Sequence, residues 1–104
     1  SISDVADHIE HIRSVAGINH VGIGSDFDGI PTYVEGLEDV STFPALFMEL
    51  ARRGWADEEL SKLAGENLLR VMRETEAVAM RLQRERPPST KTYEELDKGR
   101  PGFN

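Results

Sequence analysis

Apolar positions recur at helical spacing through the first sixteen residues and then change period. Val5, Ile9, Ile12 and Ala16 share one face, which predicts an amphipathic helix over residues 3–16. Ser3 is the expected N-cap, Asp4 suits the positive end of the helix dipole, and Gly17 suits the position just past its end. Residues 20–24, HVGIG, alternate with period two instead. Val21 and Ile23 fall on one side and His20, Gly22 and Gly24 on the other, the pattern of a short strand. A long loop is expected over residues 25–41, with Asp-Gly and Ile-Pro turn signals. Helical periodicity then returns. Helices are predicted at about 43–53 with Pro44 in the first turn, at 57–64 closed by Gly65, and at 66–86 ended by Pro87-Pro88. Leu68, Met72, Thr75, Ala79 and Leu82 form the apolar stripe of the last of these. Residues 87–104 read as an extended tail.

A lone strand cannot satisfy its own backbone hydrogen bonds. No second strand is legible in this chain, so residues 20–24 imply neighbours elsewhere. The order helix, strand, long loop, helices is one βα unit with the preceding helix attached, as at the end of a larger α/β array. Two segments follow from this pattern: 1–86 as the folded part and 87–104 as the tail.

Composition narrows the function classes. The 104 residues carry a net charge of −7, with 38% hydrophobic and 30% charged positions. Mean hydropathy is −0.43 and the isoelectric point about 4.9. An acidic balance argues against nucleic acid and against anionic lipid as partners. There is no cysteine, hence no disulfide framework and no thiolate chemistry. No apolar run approaches membrane-spanning length. The N-terminal residues do not read as a signal peptide, nor the C-terminal ones as a lipid-anchor signal. The start without Met is expected of a processed terminus or of a piece of a longer chain.

The sharpest chemical candidate is Asp26. Continued alternation puts it on the side of Gly22 and Gly24, at the C-terminal end of the strand, where the sites of α/β barrels are built. The two glycines leave room beside it. Two readings of Asp26 stay open at this level: a catalytic carboxylate, or a turn former in an Asp-Gly cluster. For Asp28, one step into the loop, the turn reading is preferred. Gly22 and Gly24 begin like a dinucleotide fingerprint, but Phe27 stands at the third glycine position and no helix follows at once. His8 and His11 share a helix face without an H-E-x-x-H frame, and they are assigned structural roles, as is His20. Asn67 and Arg70 are expected to cap and pair, with Asn67 able to bond a neighbouring loop and Arg70 set to pair with Glu66 or Glu74. Phe43, Phe47, Met48 and Trp55 are assigned to packing. Tyr33 and Val34 would touch a substrate if the loop lies over the site.

Taken together, VADHIEHIRSVAGINHVGIGSDFDG, EGLEDVS, LARRGW and GENLLRVMRE resemble the C-terminal part of the membrane dipeptidase (renal dipeptidase) family of zinc peptidases, over roughly residues 2–82. The resemblance implies a fold class: the C-terminal portion of a (β/α)8 TIM-type barrel of the amidohydrolase-like group, contributing one strand and several helices. It implies a metallopeptidase that hydrolyses dipeptides with two zinc ions bridged by a carboxylate and a water or hydroxide. The family's zinc ligands, an early His-x-Asp pair, a bridging Glu and two later His, have no counterpart here, so no metal ligand is assigned to this chain. The family's last-strand aspartate does match, at Asp26. There it takes a proton from the attacking hydroxide and passes it to the leaving amine. In the light of the resemblance Asp28 is expected to hold the loop or assist Asp26; Gly24, which leaves room beside Asp26, and Tyr33, on the loop, stand as the further substrate-site candidates.

Alone, such a segment is expected to be inactive. Its partners would be the dipeptide and the remainder of the barrel, in cis or in trans, with a homodimer of the full enzyme compatible. The lack of Cys, of glycosylation sites and of an anchor signal favours a cytoplasmic member, with no membrane and no nucleic acid as partner. The rival reading is a non-enzymatic helical interaction module whose acidic surface would favour basic partners.

Overall fold

The structure, a computed structural model, describes residues 1–98. The chain divides into two compact units, Ser1–Arg73 and Glu74–Asn104. The first unit opens with α1, Ile2–Ala16, capped by the Ser1 hydroxyl, which accepts from the Asp4 N–H. The cap therefore lies two residues before the expected Ser3. Gly17 ends α1 at φ 91, and its N–H donates to the Arg13 carbonyl over 2.8 Å. A short 3-10 turn, Ile18–His20, leads into an irregular stretch over residues 21–39. A second such turn, Val40–Thr42, is capped by Asp39, which accepts from the Ser41 N–H at 2.8 Å. Then come α2, Phe43–Arg52, with Pro44 in its first turn, and the short α3, Asp57–Ser61. A wide turn, Lys62–Glu66, follows, in which Gly65 leaves helical geometry at φ 172 and ψ −17. Beyond this kink α4 runs Asn67–Glu85.

The core of this unit lies where α1, α2 and the turn before α4 meet. Ala6 and Ile9 from α1, Leu46 and Leu50 from α2, Trp55, Leu63, Val21 and Leu37 are buried together. Leu46, Leu50 and Leu63 are fully enclosed, and burying a side chain of that size contributes about 2 kcal/mol. Ile12 and Ala16, the lower end of the expected α1 stripe, are exposed, as are Met48 and the side chain of His20.

Two further expectations are corrected. Residues 20–24 form no strand. His20 belongs to the 3-10 turn and Val21 is extended at φ −127 and ψ 141. The described residues contain no ladder for it to join, only an isolated bridge between Val34 and Leu37. The physical reason is the one anticipated: extended backbone becomes a strand only when a partner accepts its hydrogen bonds. The α4 stripe is not buried either. Leu68 and Met72 stand 64% and 50% exposed, because no described element covers them.

The second unit holds the remainder of α4, ended before Pro87-Pro88, and a short helix α5, Tyr93–Asp97. Thr92 caps α5: its hydroxyl accepts from the Glu95 N–H at 3.3 Å, and the Glu95 carboxylate accepts from the Thr92 N–H at 2.8 Å. The expected extended tail is thus helical in part. Its last six residues, 99–104, lie outside the described residues. No described helix is long and apolar enough to cross a membrane.

Candidate functional site

Residues 21–28 keep their alternation even without a ladder. Val21, Ile23, Ser25 and Phe27 are covered, whereas Gly22, Gly24, Asp26 and Asp28 are exposed. The covered side chains face α1 and α2. Ile23 and Phe27 line an apolar cavity of about 210 Å³ together with Ile9, Tyr33, Phe43 and Leu46. The Phe27 ring anchors the start of the loop there, with its centroid 5.9 Å from that of Phe43 and 6.1 Å from that of Tyr33, edge-on to the latter.

Asp26 lies on the opposite, open side. It is the one non-glycine residue with positive φ among those described, at 53. Aspartate tolerates this left-handed region better than most residues. The Gly29 N–H donates to the Asp26 carbonyl at 2.8 Å, closing a tight turn. Of the remaining candidates, Gly24 and Tyr33 meet at the apolar cavity and Asp28 points to solvent. Asp26 and Asp28 do not line that cavity. The two aspartates therefore present free carboxylates on one side, and the apolar residues fix the backbone from the other.

What holds this segment against the helices is Asn67. Its Nδ2 donates to the Ile18 carbonyl at 2.7 Å and to the Val21 carbonyl at 3.0 Å. Its Oδ1 accepts from Arg70 at 3.0 Å, and Arg70 also donates to the Asn19 carbonyl at 2.7 Å. Arg70 therefore closes this clamp rather than pairing with Glu66 or Glu74. Asn67 is a buried polar residue whose donors and acceptor are all used, which makes it a positioning element and not merely a cap.

A second polar network ties the helices together behind the site. Arg53, just past α2, reaches α1 through Asp7 at 2.6 Å and Glu10 at 2.9 Å, and bonds Glu49 at 3.1 Å. These carboxylates, Asp7 first, hold its guanidinium pKa above the ordinary value. Arg13 pairs with Glu59 and lies 4.5 Å over the Trp55 ring, while Trp55 Nε1 donates to Glu10 at 3.3 Å. The Ala56 N–H, with Arg13 beside it, holds the Glu59 carboxyl below its usual range. All of these charges are internally spent, so the network reads as scaffold.

Among the described residues no group of three or more His, Cys, Asp or Glu converges in a way that would hold a metal ion. His8, His11 and His20 are each exposed. Sequence reasoning assigned no part to Phe27 or Gly29. Phe27 carried a legible signal, since it continues the covered side of the Val21–Ile23 alternation.

Residues 1–86 match the family model described as Membrane dipeptidase (Peptidase family M19). The chain is 51% identical to dipeptidase 3 of Rattus norvegicus over 78 residues, 75% of this chain and 16% of that protein. It is 51% identical to an uncharacterized dipeptidase of Schizosaccharomyces pombe over 89 residues, 85% of this chain and 21% of that one. It is 46% identical to dipeptidase verJ of Clonostachys rogersoniana over 83 residues, 80% of this chain and 21% of that one. The chain thus spans about a fifth of the length of the curated relatives it matches.

Proposed function

Because the chain belongs to the membrane dipeptidase family, we propose that it is the C-terminal part of a dipeptidase and supplies that enzyme's proton-transferring carboxylate, Asp26. The observation that carries this reading is the alternation of residues 21–28, which leaves Asp26 exposed beside two glycines while its neighbours anchor to the helices.

In this reading, residues 20–24 become the last strand of a (β/α)8 barrel once the remaining strands, in cis or in trans, supply a ladder. The exposed apolar residues Leu68 and Met72 of α4 are the counterpart on the helix layer, a face that the rest of the barrel would cover. Residues 1–86 are assigned to the barrel segment and residues 87–104 to the tail that follows it.

Among the described residues no set of side chains gathers that fits a zinc site. In this reading the two zinc ions implied by family membership take ligands upstream of this segment, and the part of Asp26 is confined to its own atoms. Its carboxylate oxygen takes a proton from the attacking water as the peptide carbonyl is attacked. It returns that proton to the amine nitrogen, which leaves poorly unless protonated. An exposed carboxylate on a fixed turn suits both halves of this transfer. Asp28 shares the open side with Asp26, while Gly24 and Tyr33 line the apolar cavity on the other side; none of the three takes a step of its own.

The test compares two polypeptides in a dialanine hydrolysis assay with zinc present. The 104-residue chain alone is expected to be inactive. The same segment joined to the upstream barrel is expected to turn over. Activity of the chain alone, or none in the joined polypeptide that binds metal, overturns the assignment.

A further inference from the structure

Gly29 is three residues past Asp26, and its φ lies outside the left-handed region. A positive φ therefore does not call for glycine there. The obstacle to a side chain is Asp26. With Asp26 at φ 53 and the turn closed by the Gly29 N–H, the Asp26 carboxylate folds back over residue 29. A Cβ at position 29 would stand 2.7 Å from Asp26 Oδ1 and 3.1 Å from both Cγ and Oδ2. A Cβ at Gly24, by contrast, meets nothing within 4 Å.

A separation of 2.7 Å is below any real Cβ contact, so one partner must move. The exposed Asp26 side chain is free to rotate about χ1 and can move without disturbing the fold. The consequence of a side chain at 29 would therefore fall on carboxylate orientation and not on stability.

We propose that Gly29 is a positioning residue for Asp26: the missing Cβ leaves the space in which the carboxylate rests over its own turn. This inference rests on the assignment of proton transfer to Asp26. Neither the turn signal of an Asp-Gly pair nor a need for positive φ accounts for the glycine, since the turn hydrogen bond uses only its backbone.

The test places Gly29→Ala and, separately, Asp26→Asn in the full-length polypeptide that carries this segment. Dialanine hydrolysis, bound zinc, thermal midpoint and a crystal structure are measured for each. Gly29→Ala is expected to lower kcat by about 10- to 100-fold, the usual cost of misplacing a reacting group by about an ångström. KM, zinc content and melting are expected to stay at wild-type values, with the Asp26 carboxylate seen rotated away from residue 29. Wild-type kcat, an unmoved carboxylate, or a loss carried by KM, zinc content or melting overturns the proposal. If Asp26→Asn silences hydrolysis while Gly29→Ala does not, only the role of Gly29 falls. If Asp26→Asn itself turns over at the wild-type rate, the assignment of Asp26 falls and takes that of Gly29 with it.

Discussion

The side-chain amide of Asn67 lies 3.0 Å from the carbonyl oxygen of Val21, across 46 residues of sequence and in a buried setting. The same nitrogen also reaches Ile18, so one residue at the kinked start of α4 fixes both ends of the turn that precedes Asp26. This bond takes the place that a neighbouring strand would fill for the Val21 carbonyl. Asn67→Ala leaves buried carbonyls unpaired and is expected to cost about 1–3 kcal/mol in urea unfolding. Asn67→Asp, nearly equal in shape, replaces the donor with a second acceptor facing two carbonyls. It is expected to cost at least as much, and equal stability of Asp and Asn at 67 would contradict the clamp.

The Arg13–Glu59 pair gives a pH dependence whose sign follows from Glu59. Its carboxyl is held below the usual range in the folded chain, chiefly by the Ala56 N–H and then by Arg13. A depressed carboxylate contributes stability that is present above its unfolded value and is lost as pH falls through the folded one. Melting temperature is therefore expected to fall on acidification below the ordinary value of 4.5. Glu59→Gln should be less stable than wild type near neutrality and flatter in that acidic window. A variant as steep as wild type would show that other carboxylates govern acid unfolding.

The exposed face of α4 separates the chain from the barrel it is assigned to. Met72→Lys touches nothing that the described residues bury, and in the 104-residue chain it should change stability by less than about 0.5 kcal/mol. In the full-length polypeptide the same lysine would be placed against an apolar neighbour. The expected cost there is about 2 kcal/mol or more, read as a lowered urea midpoint. Equal, small effects in both would mean that nothing covers this face.

Much of the arrangement around the candidate site is legible in the sequence. The period-two pattern from Val21 placed Asp26 on the open side, and side-chain burial follows that parity through Asp28. The helices α1, α2 and α4 fall within two residues of the limits read from periodicity, with Gly17 ending α1 as expected. Other features depend on three-dimensional facts that no local pattern encodes. Whether extended residues pair depends on partners outside the segment, so HVGIG read as a strand but stands unladdered. The stripe on α4 has the right spacing for burial, yet spacing cannot say which element covers it. The Asp26 carboxylate lies where a Cβ at residue 29 would meet it, in a turn in which Asp26 takes φ 53, a value that sequence alone does not specify. The role of Asn67 is similar: it required Ile18 and Val21 to approach within hydrogen-bond reach.

Proton transfer in dipeptide hydrolysis is the role proposed for Asp26. Asp26→Asn keeps the size of the side chain and the turn around it but removes its capacity to accept a proton. The decisive measurement is kcat for dialanine hydrolysis by the full-length polypeptide carrying Asp26→Asn, with bound zinc counted on the same sample. If Asp26 carries the proton, kcat falls by about 100-fold or more with zinc content unchanged. A variant that retains wild-type kcat would contradict it, as would one whose loss is explained by loss of metal.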